Sequence, residues 1–439
     1  MKTLYVPAMS YLDGSMHEGV GFVVDELGRI RARGPADSLR QQYPAIAVEE
    51  WPERLLVAGG VNGHNHGFQV LMRGMGEDDT FMDWRSHVLY PVSQNLSRDE
   101  IYQSAMLAYW DMLRHGITTV ADFFYLNDQG LENAMAIAEA AREVGIRLAL
   151  ARTFYDWKGA PSRYRETPSE ARANTVALAG ALGDNPMVTV QVAPHSPHGA
   201  STAMIQAAVK TARELNTRLH IHVAEGEYER TAVLKETGKT PIAYLDDLGA
   251  LTSKTLAIHA VWVDDEDLSR LTASGTTVVH NPSSNMILGD GIAPIVTMLA
   301  RGIPIALGTD GGCTNDRHSI FDDMRQAALL QKVAHRNGHI INAATVFDMG
   351  TRVGSEALGI ESGNLAVGEW FDAVTLDLDD PSLLPGPPNI AHVVYALSPT
   401  AIDCVFVAGK RVIEKGRPTR FSPEMLLKWA RQAKPSRQP

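Results

Sequence analysis

Cysteine is nearly missing from this chain of 439 residues: Cys313 and Cys404 are the only two, too few for a disulfide framework or a thiolate metal cage. A reducing, cytoplasmic setting is therefore expected. Positive charge is scarce as well. Forty Lys and Arg against 51 Asp and Glu leave a formal net charge of −11, which argues against a nucleic-acid or anionic-membrane partner and for a small-molecule substrate. No stretch approaches the roughly 20 apolar residues that cross a bilayer, and the opening MKTLYVPAMSYLDG reaches Asp13 before building a secretory signal. A G-x-G-x-x-G turn after an early strand, the mark of an open doubly wound dinucleotide sheet, is also lacking. What the chain does have is core material, 45% hydrophobic residues against 21% charged, enough to bury a large interior.

Short apolar runs alternate with helical patterns through most of the chain, the sign of βαβ units in a parallel sheet. Eight strands are predicted, at 55–66, 118–126, 147–155, 188–197, 218–225, 255–263, 276–285 and 304–311. Helices fall between them at 98–115, 130–144, 201–215 and 317–335, the first opened by the capping pattern Ser97-x-x-Glu100. Eight strand-helix repeats close an α/β barrel of the (β/α)₈ type, whose chemistry sits at the C-terminal strand ends. The flanks differ. Residues 1–57 and 371–425 carry short strand-and-turn patterns such as GVGFVVDELGRIRARGP and DCVFVAGKRVIEKG, and neither is large enough to make a core alone. They are expected to pair into one small β-sandwich domain beside a catalytic barrel of residues 58–370, leaving 426–439 as a fraying tail.

Polar residues gather at the predicted strand ends. His64 and His66 close the first strand two residues apart, so both side chains point to one side and can share a cation. A strand-five histidine, His220 or His222, and Asp310 at the end of strand eight would complete a His₃Asp set suited to one divalent ion, Zn²⁺ ahead of Fe²⁺. His222 lies nearer the strand's end, which leaves His220 one layer deeper as a hydrogen-bonded interior residue. Such an ion makes water nucleophilic near neutral pH. Glu225 stands at an odd offset from His222, so only a turn could bring it inward. The glycines after Asp310 in GTDGGCTND permit close backbone approach to the reacting centre, with Cys313 as a small loop residue. His318, His335 and His339 are expected to face solvent.

The strings VNGHNH, HVAE, AIHAVW, HNPSSNMILGDGIAP and LGTDGGCTND together resemble the amidohydrolase superfamily, over about Leu55 to Lys415. The likeness is to its mononuclear aminohydrolase branch, which includes S-adenosylhomocysteine, guanine and oxoguanine deaminases and triazine hydrolases. That resemblance implies a barrel holding one metal on His64, His66, His222 and Asp310, with Glu225 as proton shuttle and His259 as a catalytic histidine. Where a carboxylated lysine would stand on strand four, this chain has Ala193-Pro194-His195, which fits one metal rather than two. Asp310 would take the proton of the attacking water, His259 would orient the hydroxide or stabilise charge on the attacked carbon's substituent, and Glu225 would protonate a ring or imine nitrogen before ammonia leaves.

Substrate contacts are expected on the barrel loops, from Gln69, Trp84, Arg85 and Tyr125, with His195 and His198 at the pocket mouth. HGFQ, FMDWRSHVLY and ADFFY are similar to stretches of N-formimino-L-glutamate iminohydrolases, whose matching Gln, Arg and Tyr help hold an amino-acid part. After Ala-Pro-His-Ser, however, this chain has Pro197-His198 and lacks that group's carboxylate-clamping arginine. The expected activity is hydrolytic deamination of an amino-substituted N-heterocycle or amidine. The alternatives are a triazine-type chlorohydrolase or alkylamine-releasing hydrolase, a formimino iminohydrolase, a ring-opening amidohydrolase, or a metal-binding barrel without catalysis. Apolar residues expected to be exposed around 75–95 point to a homo-oligomer, a dimer or higher.

Overall fold

A computed structural model describes residues 2–76 and 78–433. Within them, strands β1 (Thr3–Leu12), β2 (Ser15–Glu18), β3 (Val20–Val24), β4 (Ile30–Pro35) and β5 (Ala47–Ala58) precede the barrel strands. The barrel is β6 (Gly60–Asn65), β7 (Ile117–Phe124), β8 (Arg147–Phe154), β9 (Val188–Pro194), β10 (Leu219–Val223), β11 (Thr255–His259), β12 (Thr277–His280) and β13 (Ile305–Leu307). After it come β14 (Ala373–Asp377), β15 (Ile402–Val407), β16 (Lys410–Glu414) and β17 (Arg417–Pro418).

Strands β6 to β13 pair in chain order as one eight-stranded parallel sheet. β7 and β8 are buried at every position, as parallel strands covered by helices on one side and packed inward on the other must be. Polar bonds carry the last strand back to the first: Asn62 Nδ2 donates to Thr309 Oγ1 at 2.7 Å, and the Asp310 amide to His64 O at 3.0 Å. The expected (β/α)₈ barrel is therefore present. The helix Arg98–Arg114 opens on the predicted capping box, Ser97 Oγ accepting the Glu100 amide at 3.2 Å while Glu100 Oε2 accepts the Ser97 amide at 2.8 Å.

Both chain ends form the second sheet, in the order β17-β16-β15-β14-β5-β1-β3-β4, with β2 on β1. Flat, β14 and β3 would stand three strand spacings apart, roughly 14 Å. Yet Phe371, just before β14, has its ring centroid 6.1 Å from Phe22 of β3, and its amide donates to Gly28 O at 2.8 Å. The sheet thus curls over a small core of its own that includes Tyr5, Phe22, Phe371 and Phe406. Gly28, at φ +88°, is required there because a Cβ would collide with the Ala408 carbonyl.

Four expectations need correction. The predicted strand 55–66 breaks at Gly59: its first part belongs to β5 in the curled sheet, its second to the barrel. Residues Glu424–Gln432 are helical with Leu426 buried, so the first part of the tail is docked; 434–439 lie outside the described residues. His318 is buried, its Nδ1 3.4 Å from Asp111 Oδ2 and 3.1 Å from Arg73 Nη2, because it ties the loop after β13 to the helix Arg98–Arg114. His335 and His339 are exposed as expected. The stretch around 75–95 is not an open apolar surface either: Trp84 is buried and Tyr90 half-buried, since they roof the pocket described below. Among the described residues no helix is long and apolar enough to cross a membrane.

The two sheets are joined by a buried ion pair. Arg147, at the start of β8, grips Asp372 in a fork, with Nε–Oδ2 3.1 Å and Nη2–Oδ1 3.1 Å, and both side chains are no more than 1% exposed. Asp372 Oδ1 also takes the Ala408 amide at 2.6 Å. Replacing Arg147 by Met would strand that carboxylate in the interior, and a loss of about 3–5 kcal/mol is expected in a urea titration. A change below about 1 kcal/mol would show that the pair does not lock the sheets together.

Candidate functional site

The C-terminal strand ends bend inward by unusual backbone turns. Ala224, His259, Ala260 and Asp310 all adopt positive φ (53°, 76°, 47° and 60°), a region costly for residues with a Cβ, and all four follow or end β10, β11 or β13. At Ala224 the turn answers the offset problem, swinging Glu225 into the pocket that His222 also lines. Beyond Asp310, a Cβ on Gly311 would collide with Gln69 Oε1, so the close approach read from the sequence is real.

His64 is the hub. Its Nε2 lies 3.2 Å from His222 Nε2 and 3.3 Å from Asp310 Oδ1, and that oxygen lies 3.5 Å from His66 Nε2. Zinc-to-nitrogen bonds of roughly 2.0–2.1 Å imply a tetrahedron edge of about 3.3 Å, close to each of these separations. Among the described residues, the groups near enough to share a cation form two trios through His64: His64, His66 and Asp310, and His64, His222 and His259.

The hydrogen bonds on the far ring nitrogens separate His259 from the rest. His66 Nδ1 donates to Phe123 O at 2.6 Å and His222 Nδ1 to His195 O at 2.9 Å, so each Nε2 presents a lone pair to the centre. His259 Nδ1 instead accepts from Asn285 Nδ2 at 3.0 Å and Asn281 Nδ2 at 3.3 Å. Its Nε2 therefore carries the proton, as a donor aimed 3.5 Å from Glu225 Oε1 and 4.0 Å from Asp310 Oδ2. That buried Nε2 and His64 Nδ1 have no hydrogen-bond partner among the described residues.

Protonation states suit a cation. Burial, then the nearby His64, pushes His66 down to about 3, and burial first also holds His222 and His64 below the usual imidazole range. For Asp310 burial works against ionisation, but the bond from His64 and the neighbouring imidazoles keep it well below the usual carboxylate range. Neutral imidazoles and an ionised carboxylate are the forms that ligate metal. Ser284 Oγ at 2.7 Å and the Gly311 amide at 2.8 Å hold the Asp310 oxygens in place. Glu225 is the opposite case: burial, then the charges of Asp310 and Glu229, raise its carboxyl well above the usual range, the direction a proton donor needs.

A pocket opens over this centre. Of the residues expected to hold the metal, the proton or the substrate, all but His64 line it: His66, Gln69, Trp84, Arg85, Tyr125, His195, His198, His222, Glu225, His259 and Asp310. Gln69 Nε2 donates to the Tyr125 phenol at 2.7 Å, and the Cys313 thiol meets Gln69 Oε1 at 3.3 Å. His195 stacks on Tyr155, centroids 4.0 Å apart. Arg85 lies over Trp157 at 4.9 Å, its buried Nε without a hydrogen-bond partner among the described residues. His220 stays outside the centre, bonded through Nε2 to Gln191 Oε1 at 2.5 Å, and His280 is buried away from the pocket wall.

Sequence reasoning missed two groups. Phe81, Tyr90, Tyr155 and Tyr164 also line the pocket; Tyr155, closing the run ARTFY, was the one with a strand-end signal. Asn281 and Asn285, which lie in the stretch HNPSSN, fix the His259 tautomer, and Asn285 is itself held by Asp290 Oδ2 at 3.1 Å. Asn285→Ala is expected to lower kcat by roughly 10- to 100-fold with the protein still folded, measured by steady-state kinetics alongside circular dichroism. An unchanged kcat would remove the asparagines from the site.

The amidohydrolase family model matches residues 55–412. The 5-methylthioadenosine/S-adenosylhomocysteine deaminase of Syntrophobacter fumaroxidans is 33% identical over 392 residues, covering 89% of this chain and 87% of that protein. Among solved structures, a zinc-bound adenosine deaminase from Xanthomonas campestris superposes with a TM-score of 0.92 at 25% identity, covering 98% of this chain and 97% of its own. A zinc complex of an atrazine chlorohydrolase from Arthrobacter aurescens gives 0.89 at 23% identity, with 98% and 99% covered, a likeness of fold.

Proposed function

Because the chain belongs to the amidohydrolase family, we propose that it is a metal-dependent hydrolytic deaminase that converts C–NH₂ on an amino-substituted N-heterocycle to C=O and releases ammonia. The observation that carries this reading is the facing pair at the pocket floor, the buried Glu225 with its Oε1 3.5 Å from His259 Nε2, where burial and the nearby carboxylates push the Glu225 carboxyl above its usual range. A non-catalytic binding barrel has no use for a buried acid and a donor imidazole set against a ligand cluster. His64, His66, His222 and Asp310 would hold one divalent ion, with zinc ahead of iron, as the zinc in the solved relative supports. Bound there, the ion supplies the Lewis-acid charge that makes water nucleophilic at neutral pH.

The protein's own groups do the rest. Asp310 accepts a proton of the attacking water. His259 Nε2–H donates to the oxygen that joins the carbon. Glu225 gives its proton to the adjacent ring nitrogen, so that attack builds up no full negative charge on the ring. Asp310 then passes its proton to the amine, which leaves as NH₃, and the hydroxyl proton returns to Glu225 as the C=O bond forms, so water supplies the product oxygen, the third hydrogen of ammonia and the proton that replaces the one left on the ring nitrogen. The aromatic walls, Tyr125, Tyr155, Tyr164 and Trp84 among them, offer faces to a flat heterocycle, and the related methylthioadenosine and S-adenosylhomocysteine deaminase points to a 6-aminopurine. Gln69, Arg85, His195 and His198 would position it. The same proposal places the enzyme in the cytoplasm as a homo-oligomer, which fractionation and sedimentation would check.

The test is product release from 5′-methylthioadenosine, S-adenosylhomocysteine, adenosine, guanine, formimino-glutamate and atrazine, with ammonia, alkylamine and chloride assayed separately. Ammonia from an aminopurine is the expected result. Chloride alone from atrazine, or no ammonia from any of the aminopurines, would overturn it.

A further inference from the structure

Glu225 has to offer its proton from the oxygen that faces the reacting centre, and one residue outside the pocket wall touches the other oxygen. The Tyr228 phenol donates to Glu225 Oε2 at 3.1 Å, while Oε1 lies 3.5 Å from His259 Nε2. Tyr228 stands in the first turn of the helix Glu227–Thr237, and its ring is fixed on two sides. It stacks on Phe81, centroids 4.8 Å apart at 16°, and meets His198 edge-on at 5.6 Å and 81°. A Cβ on Gly226 would fall 2.5 Å from Tyr228 Cε1, so glycine is what lets the ring lie back across the start of its own helix. Glu229 Oε2 completes the clamp by accepting the Glu225 amide at 3.1 Å.

We propose that Tyr228 is a positioning residue for the proton shuttle: its hydroxyl holds Glu225 Oε2 so that the acid proton resides on Oε1, and the Phe81 ring holds Tyr228 in register. The inference rests on the deaminase reading. Throughout the reaction the phenol keeps its own proton. Glu225 gives the Oε1 proton to the substrate nitrogen and becomes a carboxylate, the bond from Tyr228 then gains charge assistance, and the proton is recovered from the water consumed. With Phe81 on the segment that roofs the pocket, the same ring stack ties that roof to the orientation of the shuttle.

Tyr228→Phe preserves both ring contacts and removes only the hydroxyl. In the metal-loaded enzyme, with 5′-methylthioadenosine as the probe, kcat should fall roughly 10- to 100-fold, the worth of a hydrogen bond to a charged group. KM and bound metal should change less than about twofold. A second readout needs no turnover: the infrared band of the protonated Glu225 carboxyl, identified by its absence in Glu225→Gln, should shift in Tyr228→Phe. Phe81→Leu, which loosens the stack but leaves the hydroxyl, should lower kcat by a smaller factor. An unshifted band, kcat within twofold of wild type, or a parallel rise in KM would overturn the proposal. Should the wild type release no ammonia from any aminopurine, the deaminase reading falls, and the infrared comparison still decides whether Tyr228 holds Glu225.

Discussion

Glu225→Gln is expected to bind metal as the wild type does and to lose turnover by about 10²- to 10⁴-fold, the range general acid–base catalysis supplies. The amide is nearly the same size as the acid and keeps an oxygen for Tyr228, so packing against a side chain only 5% exposed is undisturbed. Proton delivery alone is removed. Because the ring nitrogen then gains no proton as water attacks, charge accumulates in a site with little water to screen it. Metal content measured per folded chain, beside kcat for the best aminopurine, separates this account from its rival. If the variant loses metal and each remaining metal-bearing molecule turns over at the wild-type rate, Glu225 is a ligand and no shuttle.

Removal of the ion should abolish activity altogether. Buried His64 belongs to two trios of groups close enough to share a cation, one with His66 and Asp310 and one with His222 and His259, and its Nε2 stands 3.2 Å from His222 Nε2, a nitrogen of like polarity. Such an arrangement is unfavourable unless one nitrogen is protonated or a cation lies between them, and burial disfavours the protonated form. Dialysis against a strong chelator followed by exhaustive buffer exchange is therefore expected to leave no measurable ammonia release, and Zn²⁺ or Fe²⁺ should restore it. Full activity in a preparation with no metal by elemental analysis would contradict the mechanism. The chelated protein should also unfold at a lower temperature than the metal-loaded one, since an ion that binds only the folded state stabilises it.

How much of this was legible in the sequence depended on the range of the signal. The barrel was readable because each parallel strand announces itself locally, as a short apolar or β-branched run between helical patterns; ITTVADFF and RLALARTF are buried at every residue. The break at Gly59 was not, because Leu55–Val61 runs on without a polar residue or a turn signal other than glycine, and only the pairing partners, β14 for Leu55–Ala58 and β7 for Gly60–Asn65, assign the two halves to different sheets. His64 and His66 stood out through a period of two. Glu225 depended on a left-handed turn at Ala224, which no side-chain pattern encodes, and it entered through resemblance instead. His318 looked like a helix-flank surface residue because its partner Asp111 is some 200 positions away in the chain. Asn281 and Asn285 have the composition of a loop, and their role in fixing the His259 tautomer becomes visible only once β11 and β12 lie side by side. Trp84 and Tyr90 looked like exposed apolar residues since a pocket roof has the composition of an interaction surface.

The most direct test is an anomalous-difference map at the zinc absorption edge from crystals of the zinc-loaded protein. One peak is predicted, ligated by Nε2 of His64, His66 and His222 and by the Asp310 carboxylate, with His259 and Glu225 facing it from outside the ligand set. A map with no peak at that point, or one in which the ion takes His259 in place of His66 or Asp310, would contradict the account.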